Sequence, residues 1–152
     1  MTTPDPDSPV LDRAGIAALV PHQGAMCLWD EVIAWDADHV RVRATNHRDA
    51  SHPLRRDGAL HAVHLCEYGA QAMAVHGGLR ARAGGGRARA GLLVALRAVQ
   101  LHVASIDGLP GALDCEARVL VESDAGWQYA FAIRHGDALL AEGRAAVLHG
   151  PE

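Results

Sequence analysis

Residues 59–76 read ALHAVHLCEYGAQAMAVH, and this segment constrains the fold more than any other. Set on a helix, Ala62, Val63, Leu65, Cys66, Gly69, Ala70, Ala72, Met73 and Ala74 fall around most of the circumference. A helix lying on a protein surface keeps one wet face, and this one has almost none. It must therefore be enclosed, and the glycines at Gly77 and Gly78 predict its end.

The remainder of the chain supplies strands to enclose it. Asp12 is placed to cap a short amphipathic helix over 13–20, which Pro21 ends. Residues 28–35 form a β-rich run, Asp36 to Asp38 offer turn chemistry, and Val40, Val42 and Ala44 then alternate with Arg41, Arg43 and Thr45. That pattern predicts a hairpin with one solvated face. After the long helix, residues 92–103, 113–122, 127–134 and 138–148 have strand length and composition, with SDAG and HGD as hairpin connections for the last three. The order of helix, two strands, one long buried helix and four strands predicts an α+β chain of hot-dog architecture, one central helix wrapped by a curved, mostly antiparallel sheet.

Two stretches stand out as loops. Residues 46–58 are polar and long for a compact domain, a place where function often resides. Residues 79–91 carry Arg80, Arg82, Arg87 and Arg89 among glycines. The Gly84, Gly85, Gly86 run has no strand before it and no helix after it at the spacing of a phosphate-binding loop. Residues 1–10, with three prolines, are expected to be a flexible lead, and 11–149 a single domain.

Composition narrows the class further. At 152 residues and 49% hydrophobic content the chain supports one core, and a net charge of −4 is unsuited to a whole-chain nucleic-acid binder. Cys27, Cys66 and Cys115 are odd in number and widely spaced, as expected of reduced core cysteines in a cytoplasmic protein. The opening MTTPDPDSPV lacks the basic and apolar regions of a secretion signal, and no apolar run is long enough to span a bilayer.

Two motifs are more specific. The segment from Pro21 to Val32, PHQGAMCLWDEV, resembles the PHR-x-P-x-LL-x-D-x-V signature of the 3-hydroxyacyl-[acyl-carrier-protein] dehydratases, and Glu67 to Ala72, EYGAQA, resembles their central-helix motif E-x-x-A-Q-A. Leu54 to Gly58 and Gly69 to Gly77 are similar to the branch found in aryl-polyene and xanthomonadin-type pigment clusters. The resemblance implies dehydration of 3-hydroxyacyl thioesters on acyl carrier protein to trans-2-enoyl thioesters. No cofactor is implied beyond the phosphopantetheine that the substrate carries. Sheets joined edge to edge, in a homodimer or in a heterodimer with a related dehydratase, are implied as well.

Such a reaction needs a base for the Cα proton, an acid for the leaving hydroxyl and donors for the enolate-like oxygen. The resemblance assigns the acid to Glu67, which a greasy enclosure would desolvate and favour in its protonated form. It assigns the base to a histidine of the loop before the helix. His52, in Ser51-His52-Pro53, stands within one residue of the family's position, and His47 is the alternative. Where the family has a PG turn whose amide holds the thioester carbonyl, this chain has His61-Ala62, so Ala62 and His64 are expected to line the cleft. Gln71 is expected to tie the helix to neighbouring backbone, and His22 to fix the turn after the first helix.

His61, His64 and Glu67 recur every three residues, yet they lack a fourth ligand and the H-E-x-x-H pattern, so no metal site is expected. Arg55, Arg56, Arg80, Arg82, Arg87 and Arg89 are candidates for a basic rim that receives the acidic carrier protein. Two other readings fit the residues. One is a thioesterase in which Glu67 activates water; the other is a catalytically weakened dehydratase-like subunit that pairs with an active partner.

Overall fold

The computed structural model describes residues 8–86 and 91–149. It contains the helices α1 (Arg13–Ala17) and α2 (Leu65–Ala83) and the strands β1 (Glu31–Trp35), β2 (His39–Ala44), β3 (Gly91–Leu101), β4 (Leu113–Glu122), β5 (Gly126–His135) and β6 (Ala138–His149). Short 3-10 turns lie at Gly24–Met26, Asn46–Arg48 and Ala62–His64. The six strands form one sheet in the order β1-β2-β4-β5-β6-β3, with every neighbouring pair antiparallel. This is the hot-dog arrangement, with α2 packed on one face of the sheet.

Alternation in the strands decides which face meets the helix. Val40, Val42 and Ala44 of β2, Leu113, Cys115 and Ala117 of β4, and Tyr129, Phe131 and Ile133 of β5 are buried, and the residues between them point away. On the outer face Arg43 Nε donates to Asp114 Oδ1 at 3.1 Å, across the β2–β4 register. Gly69 of α2 sits where a Cβ would come within 2.7 Å of the Phe131 ring, so the absence of a side chain lets helix and sheet close.

Element boundaries differ from the sequence expectation in several places, among them α1, which ends at Ala17 and does not reach residue 20. Helix α2 runs through Gly77 and Gly78 to Ala83, so residues 79–83 are helix and not loop. Gly78 serves close packing, because a Cβ there would lie 2.9 Å from Leu19 Cβ. The true end falls at Gly84 and Gly85, where Gly85 takes φ +82° and the Gly84 amide bonds Arg80 O at 3.1 Å. At the other end, residues 62–64 form a 3-10 turn before the α-helix begins. Residues 28–30 precede the strand: the Leu28 amide and carbonyl bond to the Gln71 and Asn46 side chains, and a cross-strand bond first appears at the Asp30 amide, which donates to Arg43 O at 3.0 Å.

The two sheet edges are unlike. Along β1, the Val10 amide donates to Val32 O at 2.8 Å and Leu11 bridges to Val32, so the end of the expected flexible lead is strapped to the sheet. Residues 1–7 of that lead lie outside the described residues. Strand β3 pairs with β6 on one side and with no described strand on the other, and Leu93, Leu96 and Leu101 along it are exposed.

Candidate active site

The first turn of α2 places Glu67 on the stripe of the helix that the sheet leaves half-open, along with Ala70, Ala74 and Gly77. Its side chain is 37% exposed, so the desolvated acid expected from the sequence is instead a partly solvated one. Gln71, one turn on, donates from Nε2 to Glu67 Oε1 at 3.0 Å and to Met26 O at 2.8 Å, and accepts from the Leu28 amide at 2.9 Å. These bonds tie α2 to the segment before β1, the structural role expected of that amide. His22 Nε2 stands 3.5 Å from the same Oε1.

His52 faces elsewhere. It is 6% exposed, its Nδ1 accepts the Leu54 amide at 3.1 Å, and its Nε2 meets Tyr68 Oη at 2.9 Å. Because Nδ1 is an acceptor, the ring proton resides on Nε2 and is donated to Tyr68. The Tyr68 hydroxyl donates onward to Asn46 Oδ1 at 2.7 Å, and Asn46 Nδ2 to Leu28 O at 2.7 Å. Burial, reinforced by the nearby Arg55 charge, holds the His52 pKa below the ordinary histidine value. Both ring nitrogens are therefore spoken for, and the free lone pair that a general base needs is absent from His52 in this arrangement.

His47, unlike His52, keeps an unengaged nitrogen, but burial closes that atom to solvent. It is fully buried, its Nε2 donates to Leu109 O at 2.7 Å, and its Nδ1 is buried without a hydrogen-bond partner among the described residues. Desolvation lowers its pKa as well. His64 is half-buried at the position preceding α2 and makes no side-chain cap. Ala62 is fully buried and its amide is bonded to Ala104 O at 2.9 Å, so it does not offer an N–H to a thioester carbonyl. The next amide, of Val63, is capped by His61 Nδ1 at 3.0 Å.

A polar cavity of about 350 Å³ opens beside His52, lined also by Asn46, Asp49, Ser51 and Pro53. Glu67 does not line it, so His52 and Glu67 of one chain look into different spaces. A larger concavity of about 580 Å³ crosses the outer sheet face among Arg41, Glu116, Arg134 and Arg144, away from both.

The arginines do not form one rim. Arg55 staples its own loop, donating from Nε to Asp49 O at 2.7 Å and from Nη1 to Gly58 O at 2.8 Å, and Arg56 donates to Arg55 O at 2.9 Å. Arg80 is held by both Glu122 oxygens, at 3.0 and 2.8 Å, and lies 4.4 Å over the Trp127 ring. Arg82 is exposed near the end of α2, whereas Arg87 and Arg89 lie outside the described residues. Some fifteen helical residues, roughly 22 Å of rise, separate the start of α2 from Arg80. No group of three or more His, Cys, Asp or Glu among the described residues is gathered to hold a metal.

Asn46 and Tyr68 were not singled out by sequence reasoning. The available signal was Tyr68 itself, one large polar-tipped ring in a helix of small residues, whose buried hydroxyl demands a partner. Trp29 anchors the same spot, donating from Nε1 to Tyr68 O at 2.8 Å with the rings edge to face at 5.2 Å.

A family model of the ApeP-like dehydratases matches residues 14–152. The chain belongs to this family. Its membership agrees with the family expected from the PHQGAMCLWDEV and EYGAQA segments. Among solved structures, the dehydratase heterocomplex ApeI:P from Xenorhabdus doucetiae is similar with a TM-score of 0.80 at 25% identity, covering 90% of this chain and 91% of that one. A conserved protein of Pseudomonas aeruginosa is similar at TM-score 0.54 and 21% identity, covering 76% and 82%. A hypothetical thioesterase from Streptococcus pneumoniae, solved with coenzyme A, is similar at TM-score 0.59 and 11% identity, covering 80% and 86%; these last two share the fold. No curated protein sequence matches the chain.

Proposed function

We propose that this dehydratase-family chain acts on 3-hydroxyacyl thioesters carried by acyl carrier protein, in a polyene-forming pathway, as one half of a pair with a related dehydratase chain. In the reaction the Cα–H bond gives its proton to a base, the Cα=Cβ bond forms, and the Cβ–O bond breaks as the hydroxyl takes a proton from an acid and leaves as water. Glu67 is the acid, and the base comes from the partner chain across the seam. The protein is cytoplasmic, and it needs no cofactor other than the substrate's phosphopantetheine.

The observation that carries this reading is the engagement of both His52 nitrogens, by Leu54 and by Tyr68, while Glu67 remains open to solvent. A chain with an available acid and a committed histidine complements a chain that supplies a histidine. The similar ApeI:P structure is itself a dehydratase heterocomplex. The open edge of β3, with Leu93, Leu96 and Leu101 exposed, is the surface on which a second sheet adds its strand. That edge runs towards the start of α2, since the Ala62 amide bonds Ala104, three residues past the strand. Among the described residues, no helix is long and apolar enough to cross a membrane.

The test is direct. The chain is purified alone and with a co-expressed related dehydratase, each is incubated with 3-hydroxyacyl carrier protein, and the acyl chain is weighed. Loss of water by the pair, far exceeding that of the chain alone, is the expected result. Release of free acid would make the protein a thioesterase, and an unchanged acyl mass in both samples would overturn the dehydratase reading.

A further inference from the structure

His22 was expected to fix the turn after α1, but its ring nitrogens make no bond to that turn. Gln23 does this work, donating from Nε2 to Ala17 O at 2.8 Å and to Val20 O at 3.1 Å. That side chain satisfies carbonyls left open where the helical segment ends. His22 instead reaches 45 positions along the chain, placing Nε2 3.5 Å from Glu67 Oε1. Its Nδ1 is buried with no hydrogen-bond partner among the described residues. A proton on Nδ1 would be a buried, unmatched donor, so the ring carries its proton on Nε2, the nitrogen that lies nearest the carboxyl group.

Gln71 thus donates to Oε1 of Glu67, and His22 Nε2 stands 3.5 Å from that same oxygen. The Gln71 amide cannot be turned the other way, because its Oε1 is already taken by the Leu28 amide and its Nε2 by Met26 O. Oε1 is therefore the accepting oxygen, and a proton on the carboxyl resides on Oε2. We propose that His22 is a positioning residue that, together with Gln71, fixes Oε1 of Glu67 and so presents Oε2 as the atom that protonates the leaving hydroxyl. The inference rests on the reading of Glu67 as the acid. In the step itself the Oε2–H bond breaks, its proton joins the departing oxygen to make water, and the carboxylate retains the electron pair. A separation of 3.5 Å is longer than a strong hydrogen bond, so the His22 contact restrains the carboxylate without locking it.

The test compares His22→Ala and His22→Gln, in the otherwise natural chain and in a Glu67→Gln background, all assayed in the pair with the related dehydratase. His22→Ala is expected to lower kcat about tenfold with KM within about twofold, since misplacing a reacting group affects the chemical step more than binding. His22→Gln, which keeps an N–H donor near Nε2, should recover most of that loss. In the Glu67→Gln background His22→Ala should cost nothing more, because its effect passes through the carboxyl. Equal losses in both backgrounds, or natural kcat in His22→Ala, would overturn the inference. Crystal structures of the natural chain and of His22→Ala provide a readout without turnover, in which Glu67 is expected to leave Gln71 only in the variant. If the pair dehydrates nothing, the acid reading falls, and a Glu67 side chain in the same place in both crystals would dispose of the positioning role too.

Discussion

His52 and Tyr68 stand 16 residues apart and share one proton line: the imidazole Nε2–H points at the phenol oxygen across 2.9 Å, with the rings stacked at 6.1 Å. The line has a single direction. Starting at the Leu54 amide, each donor faces an acceptor through His52, Tyr68 and Asn46 to the Leu28 carbonyl. A fully matched buried line is stiff, and breaking one link leaves two groups unmatched.

Tyr68→Phe keeps the ring and removes the hydroxyl. The His52 Nε2–H and the Asn46 carbonyl then lose their partner, and stability should fall by about 1–3 kcal/mol. Urea unfolding of the two proteins measures this, and a change within a few tenths of a kcal/mol would mean that the line is not matched in solution.

Glu67→Gln should lower dehydration by the pair about 10²-fold or more, as expected when an acid loses its proton. His52→Gln, which keeps a donor towards Tyr68 but cannot take a proton at neutral pH, should stay within about threefold of the natural rate if the base lies in the other chain. A hundredfold loss in a folded His52→Gln protein would return the base to His52 and require that its Leu54 bond open during turnover.

Acid should weaken the fold through three histidines. Burial lowers the pKa of His47, His52 and His76 below the ordinary value of 6.5. Each is a base that the folded state holds neutral, so above 6.5 neither state takes up a proton and stability does not vary with pH on their account. As pH falls below that value the unfolded chain is protonated first, and stability drops until the folded pKa is passed. The slope approaches about 1.4 kcal/mol per pH unit for each such group. Urea midpoints between pH 7.5 and 5 record it. His76→Gln should flatten the slope, because His76 donates to Asp36 O and accepts from Tyr129 while fully buried. A natural protein whose midpoint does not move over this range would contradict the prediction.

Leu96→Lys places a charge on the open strand, where the side chain is 40% exposed. The single chain should keep its thermal midpoint, whereas co-elution with the related dehydratase on size exclusion should be lost. Retained co-elution would put the seam somewhere else.

The sequence made the architecture readable because the enclosed helix and the alternating strands leave periodic traces. Val40, Val42 and Ala44 announced their buried face, and β4 began and ended where the pattern placed it. Glycine was misread at Gly78, because a glycine needed for close approach to Leu19 resembles one needed for a turn, whereas at Gly77 a side chain would meet only open space and the helix runs on regardless. At the site, motif matching located Glu67 and Gln71. It did not reveal the state of His52, because whether a nitrogen is free depends on Tyr68, Asn46 and Leu54, which are brought together only by the fold. The reach of His22 to Glu67 is equally long-range and left no periodic mark.

The strap that Val10 and Leu11 lay along β1 has a consequence for growth. A sheet open at both margins could add neighbours without limit and build a fibre. With the β1 margin occupied at Val32, β3 is the open margin among the described residues, so a pair joined along β3 would present no second open margin of that kind, and growth by that route would end with the pair.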